Sequence, residues 1–307
     1  MGRHVIVGAG QVGSLLARTL AEQQHEVTVV TRSGKGPDSV RRVEADASDG
    51  EKMAKLAHSA DVLYNCVNPA YHRWEEDWPP IANALLGAAK RSGAVYVMLG
   101  NLYAYPVSEG PMREDTPLDP PERKGRVRAR MWREAKASHE AGHVRATEVR
   151  ASDYFGPGCL GQSHLGERFV PKLLSGKPAG YIGDPSVPHS WTYVPDVVTA
   201  LIAAGGDSRA WGRPWHVPTN PPHSVNQMAE RLCAIAGVRN PGVKAIPGWI
   251  LAAMAAVSPA VRELREVRYQ FVRPFVIDSR DFQVTFGLAP TPMDEALRET
   301  LAWWRGR

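Results

Sequence analysis

Val5 to Ala17 reads VIVGAGQVGSLLA, an apolar run that turns on glycines into a stretch with helical apolar spacing. Few local sequences restrict a chain more, because each glycine answers a separate steric demand. Gly8 lets the chain turn tightly off a strand, Gly10 lets backbone N–H groups approach a pyrophosphate, and Gly13 lets the helix pack close to the sheet. Leu15, Leu16 and Leu20 continue at helical spacing, and His25–Val30 reads as a second strand. At such a turn the N–H groups of Gln11 and Val12 and the helix dipole all favour bound phosphate. The segment therefore reads as a dinucleotide-binding turn opening an α/β fold.

The end of the second strand, Val30-Thr31-Arg32-Ser33, bears on which dinucleotide is held. An acid in this place would accept hydrogen bonds from the ribose 2′-hydroxyl of NAD. Thr31 and Arg32 stand there instead, and a guanidinium assisted by Ser33 suits a 2′-phosphate. NADP is favoured, with NAD as the alternative.

The chain has 307 residues, 43% of them hydrophobic, enough for a nucleotide domain and a companion lobe. Its net charge of +5 is modest and mostly scattered, so nucleic acid is not implied. Cys66, Cys159 and Cys233 are far apart and odd in number, which suggests a reducing cytoplasm. The first strand begins almost at once, so no cleaved leader is expected. The most apolar stretch, Ile246–Val261, is broken by Pro247, Gly248, Ser258 and Pro259. It is too short to span a bilayer and reads as a buried helix of the second lobe, so no membrane partner is implied. The expected partner is a small-molecule substrate, and a homodimer is left open.

Strand-like and helix-like segments alternate through the first half. Strands are expected at Val5–Val7, Val27–Val30, Arg42–Glu44, Val62–Val67, Ala94–Leu99 and Val144–Ala151, with helices at Gly13–Gln23, Met53–His58, Ile81–Ser92 and Val127–Ala141. Pro214–Val217 returns to the sheet, and Asp196 lies near a helix start. The expected architecture is a Rossmann-type doubly wound parallel sheet with a smaller, mainly helical C-terminal substrate lobe. The nucleotide domain would comprise 1–155 with 190–217, and the substrate lobe 156–189 with 218–307.

Further segments carry a resemblance. Glu44-Ala45-Asp46 follows the third strand, Asn65-Cys66-Val67-Asn68-Pro69 the fourth, and Arg150 to Gly158 reads RASDYFGPG. Tyr193-Val194-Pro195-Asp196-Val197 and Phe286 to Pro292 (FGLAPTP) come later. In this order the chain resembles the extended or atypical short-chain dehydrogenase/reductases, the NAD-dependent epimerase/dehydratase-like proteins. The resemblance implies that Asp46 contacts adenine and that Asn65, Val67 and Asn68 line the cofactor. Tyr71, Tyr154, Trp191 and Tyr193 are expected at the substrate.

The catalytic positions depart from the family. Relatives use a Ser or Thr after the fifth strand and a Tyr-x-x-x-Lys on the next helix, where tyrosine exchanges the proton and lysine holds the ribose. Here Leu99 or Gly100 takes the hydroxyl position, with Asn101 or Tyr103 as substitutes, and Lys124 and Arg128 replace tyrosine and lysine. Lys124, Arg128, Met131, Trp132 and Ala135 share one helical stripe, so the two cations are expected to face inward. Lys124 would then donate a proton to a carbonyl, and Arg128 would bind ribose hydroxyls. His139-Glu140-Ala141-Gly142-His143 spells a zinc-protease motif, but Gly142 ends the helix inside it, so no metal is expected. The function read from the sequence is an NAD(P)-dependent oxidoreductase or epimerase-like enzyme, NADP favoured, acting on a small carbonyl or hydroxyl substrate with altered acid–base residues. Two alternatives stay open: a dinucleotide-binding sensor or accessory protein, and a non-redox cyclase or dehydratase with a structural cofactor.

Overall fold

Five strands from the first half of the chain are buried on both faces over most of their length, the pattern of a parallel sheet covered by helices. The computed structural model describes residues 1–108, 110–257, 262–263 and 266–307. In it β1 (Arg3–Val7), β2 (Glu26–Thr31), β3 (Arg41–Glu44), β4 (Val62–Asn65), β5 (Val95–Asn101), β6 (Ala146–Ala151) and the late strand β10 (Pro214–His216) form one seven-stranded sheet. Its order is β10-β6-β5-β4-β1-β2-β3, with all neighbours parallel. β3, at one edge, is the largely exposed member. The chain winds one way from β1 to β3 and the other way from β4 onward, so a switch point lies between β1 and β4. In open sheets of this type the crevice beyond that point is where ligands bind.

The covering helices follow from their apolar stripes. α1 (Gln11–Glu22) buries Leu16, Ala17 and Leu20, while α2 (Gly50–Ala57) starts on an Asp49 cap that accepts from Lys52 N. α3 (Trp74–Ser92) and α4 (Arg123–Glu140) complete one layer, with Trp78, Leu85, Met131 and Trp132 packed on Leu63, Tyr96 and Met98 of the sheet. α3 begins seven residues before the expected Ile81. Pro79 and Pro80 remove only the N–H groups that would bond to the Glu75 and Glu76 carbonyls in the first turn, and both those residues are exposed. Burial of Trp74 and Trp78, one turn apart, carries the helix across them.

The chain divides into two compact units. The first comprises Met1–Pro106, Pro117–Ala151 and Val197–Val217, and contains the sheet. The second comprises Val107–Thr116, Ser152–Asp196 and Pro218–Arg307. In the second unit β7 (Asp153–Phe155) pairs with β9 (Trp191–Tyr193), and β8 (Ala179–Tyr181) with β11 (Val243–Ala245). Its helices are α5 (Val170–Leu174), α7 (Val225–Ala236), α8 (Gly248–Val257), α9 (Arg280–Phe286) and α10 (Met293–Arg305). α7 opens on a reciprocal Ser224–Gln227 capping box. α6 (Val194–Gly206) carries Asp196 in its first turn, where the carboxylate accepts from Thr291 N and Oγ1 at 3.0 and 2.7 Å.

One expected core element is not in the core. Residues 258–261 of the apolar stretch lie outside the described residues, and none of the described side chains of the helix that forms, α8, is buried. Trp249 is 74% exposed, Ala252, Ala253 and Ala256 are exposed, and Ile250 and Leu251 are half-buried. An uninterrupted apolar run marks burial only when another element covers it, and no sequence pattern reports that cover.

Candidate functional site

At the switch point the glycine turn meets the demands set by its sequence. Gly8 has φ +101°, and a β-carbon there would lie 2.5 Å from the Cys66 carbonyl oxygen. A β-carbon on Gly13 would lie 2.0 Å from the Gly8 oxygen. Gly10 differs: its backbone is extended at φ −71°, and an added β-carbon would meet nothing within 4 Å. α1 therefore begins without a side-chain cap, and its first N–H groups face open space that a side chain at Gly10 would occupy. This bare helix start fits a pyrophosphate.

Around it the expected cofactor residues separate by role. Arg32 and Ser33 are exposed at the end of β2. Thr31 instead donates its hydroxyl to Lys35 O at 2.8 Å and holds the turn that presents them. Asp46 is exposed, and its Oδ1 accepts from Ser48 N and Oγ at 2.9 and 2.8 Å, bonds that hold its carboxyl below the usual range. Asn65 is 2% exposed and committed to the fold: its amide donates to Tyr96 Oη at 3.0 Å and its Oδ1 accepts from Val67 N at 3.2 Å. Its contribution is therefore to shape the strand end, beyond which Val67 is half-buried and Asn68 exposed.

The stripe on α4 is buried as its 3.6-residue spacing requires, with Lys124 3% and Arg128 5% exposed while Arg126, Arg130 and Arg133 are exposed. The start of α4 is pressed against the loop after β5, since a β-carbon on Gly125 would lie 2.2 Å from the Tyr103 oxygen. That contact brings Lys124 Nζ to 5.0 Å from the Tyr71 ring centre, and the Tyr71 hydroxyl donates to the Tyr103 hydroxyl at 2.6 Å. Arg128 lies against Trp78 and Trp74, at 4.3 and 4.8 Å from the ring centres, and donates to Leu99 O at 3.3 Å. Its guanidinium is thus held in an aromatic box. Asn101 accepts from Tyr103 N through Oδ1 at 3.2 Å and so fixes the loop that carries the phenol.

The bare position at Gly100 has a cause that the sequence did not disclose. A β-carbon there would lie 2.6 Å from Glu148 Oε1. Glu148, 1% exposed, accepts from fully buried Arg150 Nε at 2.7 Å. Arg150 in turn donates to Tyr105 Oη at 2.6 Å, and that oxygen lies 2.7 Å from His216 Nε2. The carboxylate of a buried polar network thus fills the space where a strand-end hydroxyl would project.

In the second unit Trp191 and Tyr193 are 1% and 2% exposed. Trp191 donates to His223 O at 2.9 Å, and Tyr193 donates to Glu299. Both are thus held inside the second unit, while Tyr154 is half-buried. Beside Tyr154 in the chain lies a residue the motif reading passed over. Asp153 has a side chain 21% exposed, and its Oδ2 accepts from fully buried His189 Nε2 at 2.7 Å. Desolvation pushes this carboxyl upward, but donation from His189 together with the charges of His189 and His164 holds the group below its ordinary range. The sequence signal was an acid two residues past the end of β6, in Ala151-Ser152-Asp153; its histidine partner is 36 residues away.

α4 ends at Glu140, inside the His139–His143 motif, where His139 Nδ1 lies 3.1 Å from Val144 O. Among the described residues no group of three or more His, Cys, Asp or Glu is placed to hold a metal ion.

Comparison with known proteins bears on this geometry. The model of the NAD dependent epimerase/dehydratase family matches residues 4–215. No curated protein matches. Among solved structures, MoeE5 in complex with UDP-glucose and NAD is 21% identical with a TM-score of 0.81, over 99% of each chain. UDP-glucose 4-epimerase of Thermotoga maritima, with UDP-glucose, is 19% identical with a TM-score of 0.80, over 99% of each chain. dTDP-glucose 4,6-dehydratase of Bacillus anthracis, in complex with NAD, is 16% identical with a TM-score of 0.81, over 100% of this chain and 97% of the other.

Proposed function

The chain belongs to the NAD dependent epimerase/dehydratase family, and from that premise we propose that it is a dinucleotide-dependent enzyme acting on a small carbonyl or hydroxyl substrate, with NADP preferred and Lys124 serving the proton. Gly10 and the uncapped start of α1 would hold the pyrophosphate. Arg32 and Ser33 would grip a 2′-phosphate, and Asp46, Val67 and Asn68 would line the adenine side. When bound, the dinucleotide supplies hydride exchange with the substrate carbon.

Two features handle the proton: the Lys124 ammonium would donate to the substrate oxygen as hydride arrives, and the Tyr71–Tyr103 phenol pair beside it would hold that ammonium in place. Arg128 positions this group rather than reacting: its box of Trp74 and Trp78 and its bond to Leu99 O tie α4 to the end of β5. The observation that carries the proposal is the burial of Lys124 beside two hydrogen-bonded phenols, in the segment where relatives place tyrosine.

The test follows nicotinamide absorbance with NADP or NADPH and a panel of sugar nucleotides, ketones and alcohols, in the native protein and in Lys124→Met. Turnover in the native protein that disappears in the variant, with NADP affinity retained, is expected. Undiminished turnover in Lys124→Met contradicts the assignment of the proton, and dinucleotide binding with no turnover on any substrate favours the sensor alternative. A second measurement addresses the cofactor: Arg32→Ala is expected to weaken NADP binding by about 10- to 100-fold, the range for losing a charge-assisted hydrogen bond, and to leave NAD binding nearly unchanged. Equal losses for both dinucleotides would remove Arg32 from the phosphate site.

A further inference from the structure

We propose that α8 and the strand pair before it form a surface that docks onto an anionic lipid bilayer. Two observations converge on this patch. The first is apolar exposure. α8 contains no charged residue, and its sequence GWILAAMAAV leaves Trp249 74% exposed, with Ala252, Ala253 and Ala256 also open. Its ten residues are about half of what is needed to cross a bilayer, so it can only lie in the interface. An indole is the side chain best suited to that depth, apolar in its rings and polar at its N–H.

The second observation is charge. Residues 168–183 and 231–257 contain six Lys and Arg and no Asp or Glu, against a net charge of +5 for the whole chain. Arg231 pairs with Asp294 at 2.9 Å, which leaves five further cations gathered in these two segments. The fold joins them, because β8 pairs with β11 through Gly180 and Lys244. Ile246 N donates to Tyr181 O at 2.8 Å, and α8 starts two residues later. Lys172, Lys177, Arg239 and Lys244 are all exposed, and Lys244 lies on the strand that leads to α8.

Apolar exposure alone would suit a second copy of this chain, but two like-charged rims would then face each other. An anionic surface answers both features at once: phospholipid head groups meet the cations while Trp249 enters the acyl boundary. Docking of this kind requires no bound dinucleotide.

The experiment is flotation of the full chain with vesicles of phosphatidylcholine alone or mixed with phosphatidylglycerol, at low and raised salt. Binding to the mixed vesicles, about tenfold or more above that to phosphatidylcholine and reversed by salt, is expected. Trp249→Glu, and separately the pair Lys177→Glu with Lys244→Glu, should each abolish flotation while leaving the melting temperature and NADP binding unchanged. Three outcomes would overturn the proposal: no flotation of the native protein with either vesicle, flotation unaffected by both variants, or a Trp249-dependent dimer in sedimentation without lipid binding.

Discussion

Taken one residue at a time, the three glycines of the first turn are not equivalent, and substitutions should separate them. Gly13→Ala forces a β-carbon against the Gly8 carbonyl, so it should cost about 1–3 kcal/mol of stability, as overpacking does, and lower the thermal midpoint. Gly10→Ala meets nothing and should melt with the native protein. A midpoint for Gly13→Ala equal to the native one would mean that α1 does not approach β1 as described. Arg150 offers a second case. It is fully buried against Glu148 and Tyr105, so Arg150→Ala strands a buried carboxylate and should destabilise by about 3–5 kcal/mol in urea. Adding Glu148→Gln should recover part of that loss, whereas simple additivity would deny the pairing. None of this network could be read from the sequence, since Tyr105 and His216 stand 111 residues apart and neither belongs to a recognisable motif.

Among the strands and helices, β1 carries a pH dependence. His4 Nε2 lies 3.1 Å from His25 Nδ1, and Asp61 accepts from Arg3 N nearby. Burial, with the charge of His25 added and Asp61 opposing, lowers the His4 imidazole to about 4. The folded chain then binds fewer protons than the unfolded chain between about 4 and the ordinary value of 6.5, so stability falls as pH drops through that window. Thermal melts at stepped pH should show this slope, and His4→Gln should flatten it; an unchanged slope would place the sensitivity elsewhere. Strand periodicity made β1, β2, β4, β5 and β6 legible, because parallel strands buried on both faces leave a dense apolar signature. The inward stripe of α4 was equally legible from its spacing. Two helices were not: α3 runs through Pro79-Pro80 on the burial of Trp74 and Trp78, and α8 stays exposed despite its apolar sequence. In both cases tertiary packing, or its lack, overrode the local signal. The same limit applies to single side chains: in the first unit Lys124 was visible by position, whereas in the second Asp153 and His189 meet only through the fold.

In the molecule as a whole, the sheet order sets the crevice between β1 and β4; the glycine turn, Val67 and Asn68 follow those two strands, and Arg32 follows β2, the next strand beyond β1. All three cysteines are buried and free; burial pushes the Cys66 and Cys159 thiols up to about 12 and raises that of Cys233. The native chain should therefore resist alkylation at mildly alkaline pH and react with three equivalents only after denaturation. Calorimetric titration of the native protein and of Gly10→Glu with NADP and with NAD puts the dinucleotide site itself to the test. The open space at Gly10 admits the new side chain without disturbing the fold, but it sets a carboxylate where the pyrophosphate belongs. The native protein should bind NADP more tightly than NAD, and Gly10→Glu should melt normally yet lose both. Native-like binding by a folded Gly10→Glu would contradict a pyrophosphate at the start of α1.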